Sequence, residues 1–196
     1  MTRPRPLVVA VLAVLAAGSL AGCQSDPATA AYIGRQQIST AQVDHVVALD
    51  AAAGSRRDAT LNSLNVLVQT ALLRTVARDM GADVTPAVIA QAREDADIRS
   101  QAAQFGVRPE AFAEFAAYLL TVQRHLAQQL AGSGQLTPEQ VTAVQDRVSG
   151  LRAQAAKDAH VRVNPRYGAF DPQRVAVTPA VEPGIKPVTQ QAAPQP

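Results

Sequence analysis

Between Asp58 and Met80 the chain places Leu61, Leu64, Leu67, Val68, Ala71, Leu72 and Val76 at three- and four-residue steps. That rhythm follows the turn of an α-helix and predicts one long amphipathic helix, stopped by Gly81 at a favoured C′ position. Such a stripe has to be covered, and the rest of the chain supplies further helices. Ser39-Thr40-Ala41-Gln42 has capping-box spacing and predicts a helix with Val43, Val46, Val47 and Ala51 on one face, broken at Gly54-Ser55-Arg56-Arg57. Thr85-Pro86 opens another, with Val88, Ile89, Ala92 and Ala96 as a thinner stripe. Pro109 starts a long helix to about Leu130 with Phe112, Phe115, Ala116, Leu119, Val122 and Leu126 on its apolar face. Thr137-Pro138 opens the last, carrying Val141, Val144, Val148, Leu151 and Ala155. With no Trp and 4% aromatic residues, the core has to be built from Leu, Val, Ala and a few Phe. Ala and Leu favour helix. The expectation is a mainly α domain of about five helices with a small β element.

The β element comes from both ends. Ala31 to Ile38 reads as a short hairpin, with Gly34 in the first central position of a type II′ turn. His160-Val161-Arg162-Val163 alternates as a strand does, and Asn164-Pro165 ends it. Beyond Asp171 the chain is rich in Pro, Gln and Ala, and residues 172–196 are expected to be a disordered tail.

The first 23 residues carry targeting information. Arg3 and Arg5 precede an apolar run from Leu7 to Ala17, followed by Leu20-Ala21-Gly22-Cys23. A cationic start, a short apolar stretch and small residues are the parts of a secretory signal. The run falls short of the ~18 apolar residues of a membrane span. Its ending resembles a bacterial lipobox, which implies cleavage before Cys23, acylation of its thiol and a lipid-anchored protein on the extracytoplasmic face of the membrane. The alternative is a soluble secreted protein with an incidental cysteine. On the lipobox reading, residues 1–22 are signal peptide, 23–30 a polar tether and 31–171 the folded domain. Cys23 is the sole cysteine, so no internal disulfide is possible. Removing residues 1–22 takes away Arg3 and Arg5 and no acids, so 18 basic and 16 acidic residues become 16 of each. A neutral chain argues against nucleic acid as partner and against a polybasic membrane patch.

The order of lipobox, Ile38-Ser39-Thr40-Ala41-Gln42-Val43-Asp44, helices, and then His160-Val161-Arg162-Val163-Asn164-Pro165-Arg166-Tyr167-Gly168-Ala169-Phe170-Asp171 resembles the SurA N-terminal-like lipoproteins of actinobacteria, relatives of the SurA and PrsA foldases. The resemblance spans about residues 23–175. It implies that the segment Tyr32–Ile38 pairs with Val161–Val163 and that the helices cradle an apolar groove for unfolded chains. The family has Asn-Gly where this chain has Gly34-Arg35, and Trp where it has Phe170. Many such foldases also carry a parvulin prolyl-isomerase domain. Here Lys157-Asp158-Ala159 runs straight into the closing strand, so isomerase activity is not carried over and no enzyme is expected.

The remaining chemistry-bearing residues point the same way. His45, His125 and His160 fall on different elements, and no HExxH spacing occurs. Gly132-Ser133-Gly134 is not a GxSxG elbow, and Arg93 to Asp97 reads as a solvated face. No catalytic residue, metal site or cofactor is assigned, and no small-molecule substrate is expected. The candidate groove residues are Leu73, Phe112, Phe115, Tyr118 and Leu120. For Phe112 and Phe115 plain core is the stronger reading, because their spacing alone predicts burial. Leu73, Tyr118 and Leu120 lie off the main stripes, and a helix apolar on more than one face needs more than one neighbour or a partner. The expected function is an ATP-independent chaperone that binds unfolded secreted polypeptides. The alternative is a non-catalytic envelope scaffold or accessory lipoprotein that binds one folded partner.

Overall fold

A computed structural model describes residues 26–48, 55–131 and 134–179. In chain order the elements are β1 (Thr29–Ile33), β2 (Gln36–Ser39), α1 (Thr40–Val46), α2 (Arg56–Asp79), α3 (Pro86–Glu94), α4 (Ala96–Phe105), α5 (Pro109–Ala131), α6 (Pro138–Asp158), β3 (Arg162–Val163), β4 (Ala169–Asp171) and β5 (Ala176–Thr178). The fold is mainly helical with small antiparallel pairings. The signal segment, Cys23, Ala51, the Gly132-Ser133 pair and residues 180–196 lie outside the described residues. No described helix is long and apolar enough to cross a membrane.

The central element is α2, because its apolar residues are not confined to one stripe. Leu64, Val68, Ala71 and Leu72 pack against the strands. Val66 joins a second cluster with residues of α3, α4 and α5. Leu73, Val76 and Ala77 meet Val122 and Leu126 of α5 and Val144 and Val148 of α6. Each fully buried Leu or Val stabilises the fold by about 1.5–3 kcal/mol. A central helix with three contact faces therefore sets the domain's architecture.

Caps place the helix ends. Ser39 and Gln42 form a reciprocal capping box at α1, with Gln42 N–H to Ser39 Oγ at 3.1 Å and Ser39 N–H to Gln42 Oε1 at 2.8 Å. Thr137 and Gln140 do the same at α6, and Thr85 caps α3, each followed by proline. The described residues hold six helices, because the stretch opened at Thr85 is two helices and not one. Asp95 is extended (φ −68°, ψ 123°), and its carboxylate accepts from the Asp97 and Ile98 N–H groups, closing α3 and opening α4. A short acidic side chain competes with the backbone in this way and favours a cap over a helix interior.

β1 is the middle of a three-stranded antiparallel sheet of order β2-β1-β3. Gly34 turns the hairpin at φ +60°, a left-handed value at the first central residue alone, as a type II′ turn requires. The pairing with β3 runs through Ala31–Val163 and Tyr32–Arg162. Asn164 then locks the two ends of the domain together. Its side-chain amide donates to the Thr29 carbonyl at 2.9 Å, and its N–H donates to the Ala30 carbonyl at 2.8 Å.

Order continues past Asp171, where the sequence suggested a disordered tail. β5 pairs with β4 and lies on α2, with Val175 and Val177 buried. The Asn65 side chain grips Val177 at both backbone groups, donating to its carbonyl at 2.8 Å and accepting from its N–H at 2.6 Å. Gln69 donates to the Val175 carbonyl. Two polar residues of α2 thus give a short strand the partners that a Pro-rich composition conceals.

Candidate functional site

The five residues singled out for a groove do not line one surface. Leu73 is fully buried where α2, α5 and α6 meet, and Phe112 is 6% exposed. Both are core residues and are unavailable to a partner. Leu73 lies off the main stripe of α2, but the covering neighbours, α5 and α6, belong to the same chain. Phe112 sits between Phe105 and Phe115, with ring centroids at 5.8 and 5.6 Å. Offset aromatic packing at these distances is favourable. Phe115 is half-buried and touches two of the three core clusters.

Tyr118 is half-buried beside the C-terminal half of α2. The Arg74 guanidinium lies over its ring at 5.5 Å, donates from Nε to its hydroxyl at 3.3 Å, and pairs with Glu114 at 2.6 Å. Burial pulls the Arg74 pKa down, but the Tyr118 and Glu114 hydrogen bonds outweigh it and leave the pKa raised. Arg74 and Tyr118 border an open depression of about 640 Å³ that also takes in Arg78 and Asp83. Its walls carry both signs of charge.

Leu120 is the aliphatic candidate that reaches a surface. It is 47% exposed and lines a cleft of about 320 Å³ between α5 and α6 with Ala127, Leu136, Val141 and Val144. Val144 is buried, while Val141 is 42% exposed. Gln123, Arg124 and Gln145 also line the cleft. Leu130, 49% exposed, stands nearby, its carbonyl accepting from the Gln140 side chain at 3.4 Å. The sequence placed Val141 on the buried seam of α6. It is instead at the first turns of that helix, beyond the cover that Val144 and Val148 receive from α2 and α5. No local sequence signal marks Leu130 and Leu136, because exposure at a helix end or in the loop before the next helix depends on where the neighbouring helix stops.

A further cavity of about 350 Å³ is lined by Arg56, Arg57 and Arg166 with Tyr167. Burial raises the Tyr167 pKa, Asp44 adds to that, and Arg166 opposes it. Of the histidines, His45 and His160 are exposed and His125 contacts Gln129 at 3.0 Å. Among the described residues no group of three or more His, Cys, Asp or Glu is placed to hold a metal ion. No family model, no curated protein and no solved structure matches the chain.

Proposed function

We propose that this protein is a lipid-anchored lipoprotein of the SurA N-terminal-like type, held outside the cytoplasm by Cys23, that binds apolar stretches of unfolded secreted polypeptides without making or breaking bonds. The anchor is supported by the lipobox. The family reading is supported by the VNPRYGAFD segment, whose Asn164 ties the first strand to the last part of the domain. The observation that carries the binding function is the α5–α6 cleft, where Leu120 and Val141 stand roughly half-exposed above a buried Val144. An apolar centre with a polar margin is how proteins present a contact surface. Binding through one short cleft is weak and tolerant of sequence, as a holding chaperone needs.

The test is suppression of aggregation of a reduced, unfolded client by the mature protein, compared with Leu120→Ser and Val141→Ser. The reading expects protection by the parent and a loss of most of it in the double variant, measured at a temperature where both proteins are folded. Equal protection by both proteins, or none by the parent at stoichiometric excess, refutes it. The small size and fixed helical placement of the cleft also favour a second reading, a scaffold for one folded partner. A pull-down from envelope extracts separates the two. One stoichiometric species favours the scaffold, and many unfolded clients favour the chaperone.

A further inference from the structure

The mature chain is neutral, but its arginines are not evenly spread. Arg56 and Arg57 on the first turn of α2, and Arg166 between β3 and β4, come from opposite ends of the domain and line one cavity of about 350 Å³. All three are exposed, and none is in an ion pair among the described residues, whose two pairs are Arg74–Glu114 and Arg174–Asp171. Asp58 is the one acid lining the cavity, and its carboxylate accepts from the Ser55 hydroxyl at 2.7 Å. Arg166 lies over the Tyr167 ring with its guanidinium carbon 5.6 Å from the centroid, so the head group is supported at the cavity wall. Asp44, whose charge acts on Tyr167, is a second carboxylate at this wall, so three arginines face two acids and a neutral total conceals a small local excess of positive charge.

This wall is bonded to the point where the chain enters the domain. Asn164 Oδ1 accepts from the Arg166 N–H at 3.2 Å, and Asn164 Nδ2 donates to the Thr29 carbonyl at 2.9 Å. Thr29 N–H in turn donates to the Asp26 carbonyl at 2.8 Å. Cys23 precedes Asp26 by three residues, a stretch that spans at most about 11 Å. An acyl chain on Cys23 would thus enter its membrane close to the strand that Asn164 ties to the Arg166 loop.

We propose that Arg56, Arg57 and Arg166 form a seat for the phosphate of an anionic phospholipid headgroup, which fixes the orientation of the domain on the membrane that carries its anchor. The proposal rests on the reading of Cys23 as the acylation site. Guanidinium groups suit this role, because their planar donor fork matches phosphate oxygens and stays charged at every physiological pH. Each basic residue at an anionic surface strengthens association about fivefold, and Asp58 on the same wall offsets part of the gain from three.

The experiment uses the full protein as processed by a host that acylates lipoproteins, in phosphatidylcholine vesicles and in vesicles rich in phosphatidylglycerol, read by flotation and by amide hydrogen exchange over residues 55–61 and 164–168. The seat predicts that these segments exchange at least about fivefold more slowly on the anionic vesicles, that high salt removes the difference, and that the R56Q/R57Q/R166Q variant lacks it. The single variant R166Q, at an exposed position, should lose part of the protection and serves if the triple variant melts early. Equal exchange on the two vesicle types overturns the seat even though the protein floats. Failure to float with neutral vesicles counts instead against acylation, and flotation on anionic vesicles alone, abolished by R56Q/R57Q/R166Q, then keeps the seat. Protection by inorganic phosphate without vesicles, equal to that on lipid, overturns the headgroup assignment in favour of a free-anion site.

Discussion

Leu73→Ala and Leu120→Ala form a pair that separates core from contact surface. Both replace an off-stripe leucine that the sequence alone offers as groove lining. Leu73 is 0% exposed and surrounded by Val76, Val122, Leu126, Val144 and Val148. Truncating a leucine in such a site loses its transfer free energy and leaves a cavity between three helices, a cost of about 3–4 kcal/mol within the ~2.7–5 kcal/mol range of such changes. For a domain of this size each kcal/mol lowers Tm by about 2–4 °C, so the loss is about 10 °C. Leu120 keeps nearly half its surface in water, and Ala has the higher helix propensity, so Leu120→Ala costs under about 1 kcal/mol. Urea titration of the mature chain reads both, with unchanged m as the sign that the denatured state is not altered. Client protection, measured where both variants are folded, should persist in Leu73→Ala and fall in Leu120→Ala. A Leu73→Ala cost under about 1.5 kcal/mol, or a Leu120→Ala cost above about 2 kcal/mol, refutes the assignment of one to the interior and the other to the cleft.

Other perturbations probe the polar joints. Asn65→Ala leaves both backbone groups of the buried Val177 without partners and should cost about 2–4 kcal/mol in urea unfolding, with early hydrogen exchange in β5. Asn65→Asp keeps the acceptor for the Val177 N–H, loses the donor, and should fall between parent and Ala. Asp95→Ala removes the cap that separates α3 from α4 and should cost about 1 kcal/mol, with faster exchange at the Asp97 and Ile98 amides. The Glu139 carboxyl is held below its ordinary 4.5 by its own backbone N–H and the Thr137 hydroxyl. A depressed folded pKa means its contribution is fully present above the unfolded value and is lost as pH falls through the folded one. A carbon-detected NMR titration should place Glu139 below 4.5, and the Tm difference between parent and Glu139→Gln should shrink as pH drops below that value.

The helices were legible because their signals are local. Ser39-x-x-Gln42, Thr85-Pro86, Pro109 and Thr137-Pro138 each begin a helix, or cap the one that begins beside them, and the leucine rhythm of α2 matches its buried face. The missed features depend on residues far apart in the chain. Asp95 has the composition of a solvated run, and only the backbone turn around it makes it a cap. β5 has strand-favouring Val and Thr, but it is three residues long, lies beside a Pro- and Gln-rich stretch, and is held by Asn65 and Gln69, more than a hundred residues earlier. The proposed groove failed as one surface for the same reason. Periodicity identifies an apolar face, but whether Leu73 or Leu120 ends up covered is decided by which helix lies opposite.

Those long-range joints also locate the candidate surfaces. α5 turns Val122 and Leu126 toward α2 and α6, and with α6 it leaves a cleft that shares Val144 and Ala127 with that core cluster. A single exposed leucine is ordinary protein surface. Leu120 and Val141 on the two walls of one cleft, with Leu136 lining it and Leu130 close by, form a concentration that these helices do not themselves cover. The arginine cavity is assembled differently, from the start of α2 and the loop that Asn164 ties to Thr29. The entry of the chain is thus bonded to the charged region, whereas the apolar cleft belongs to α5 and the start of α6. If the charged region meets lipid, the domain is oriented by its own N- and C-terminal clamp. Breaking that clamp with Asn164→Ala should then weaken both fold stability and headgroup-dependent protection, while R166Q affects only the second.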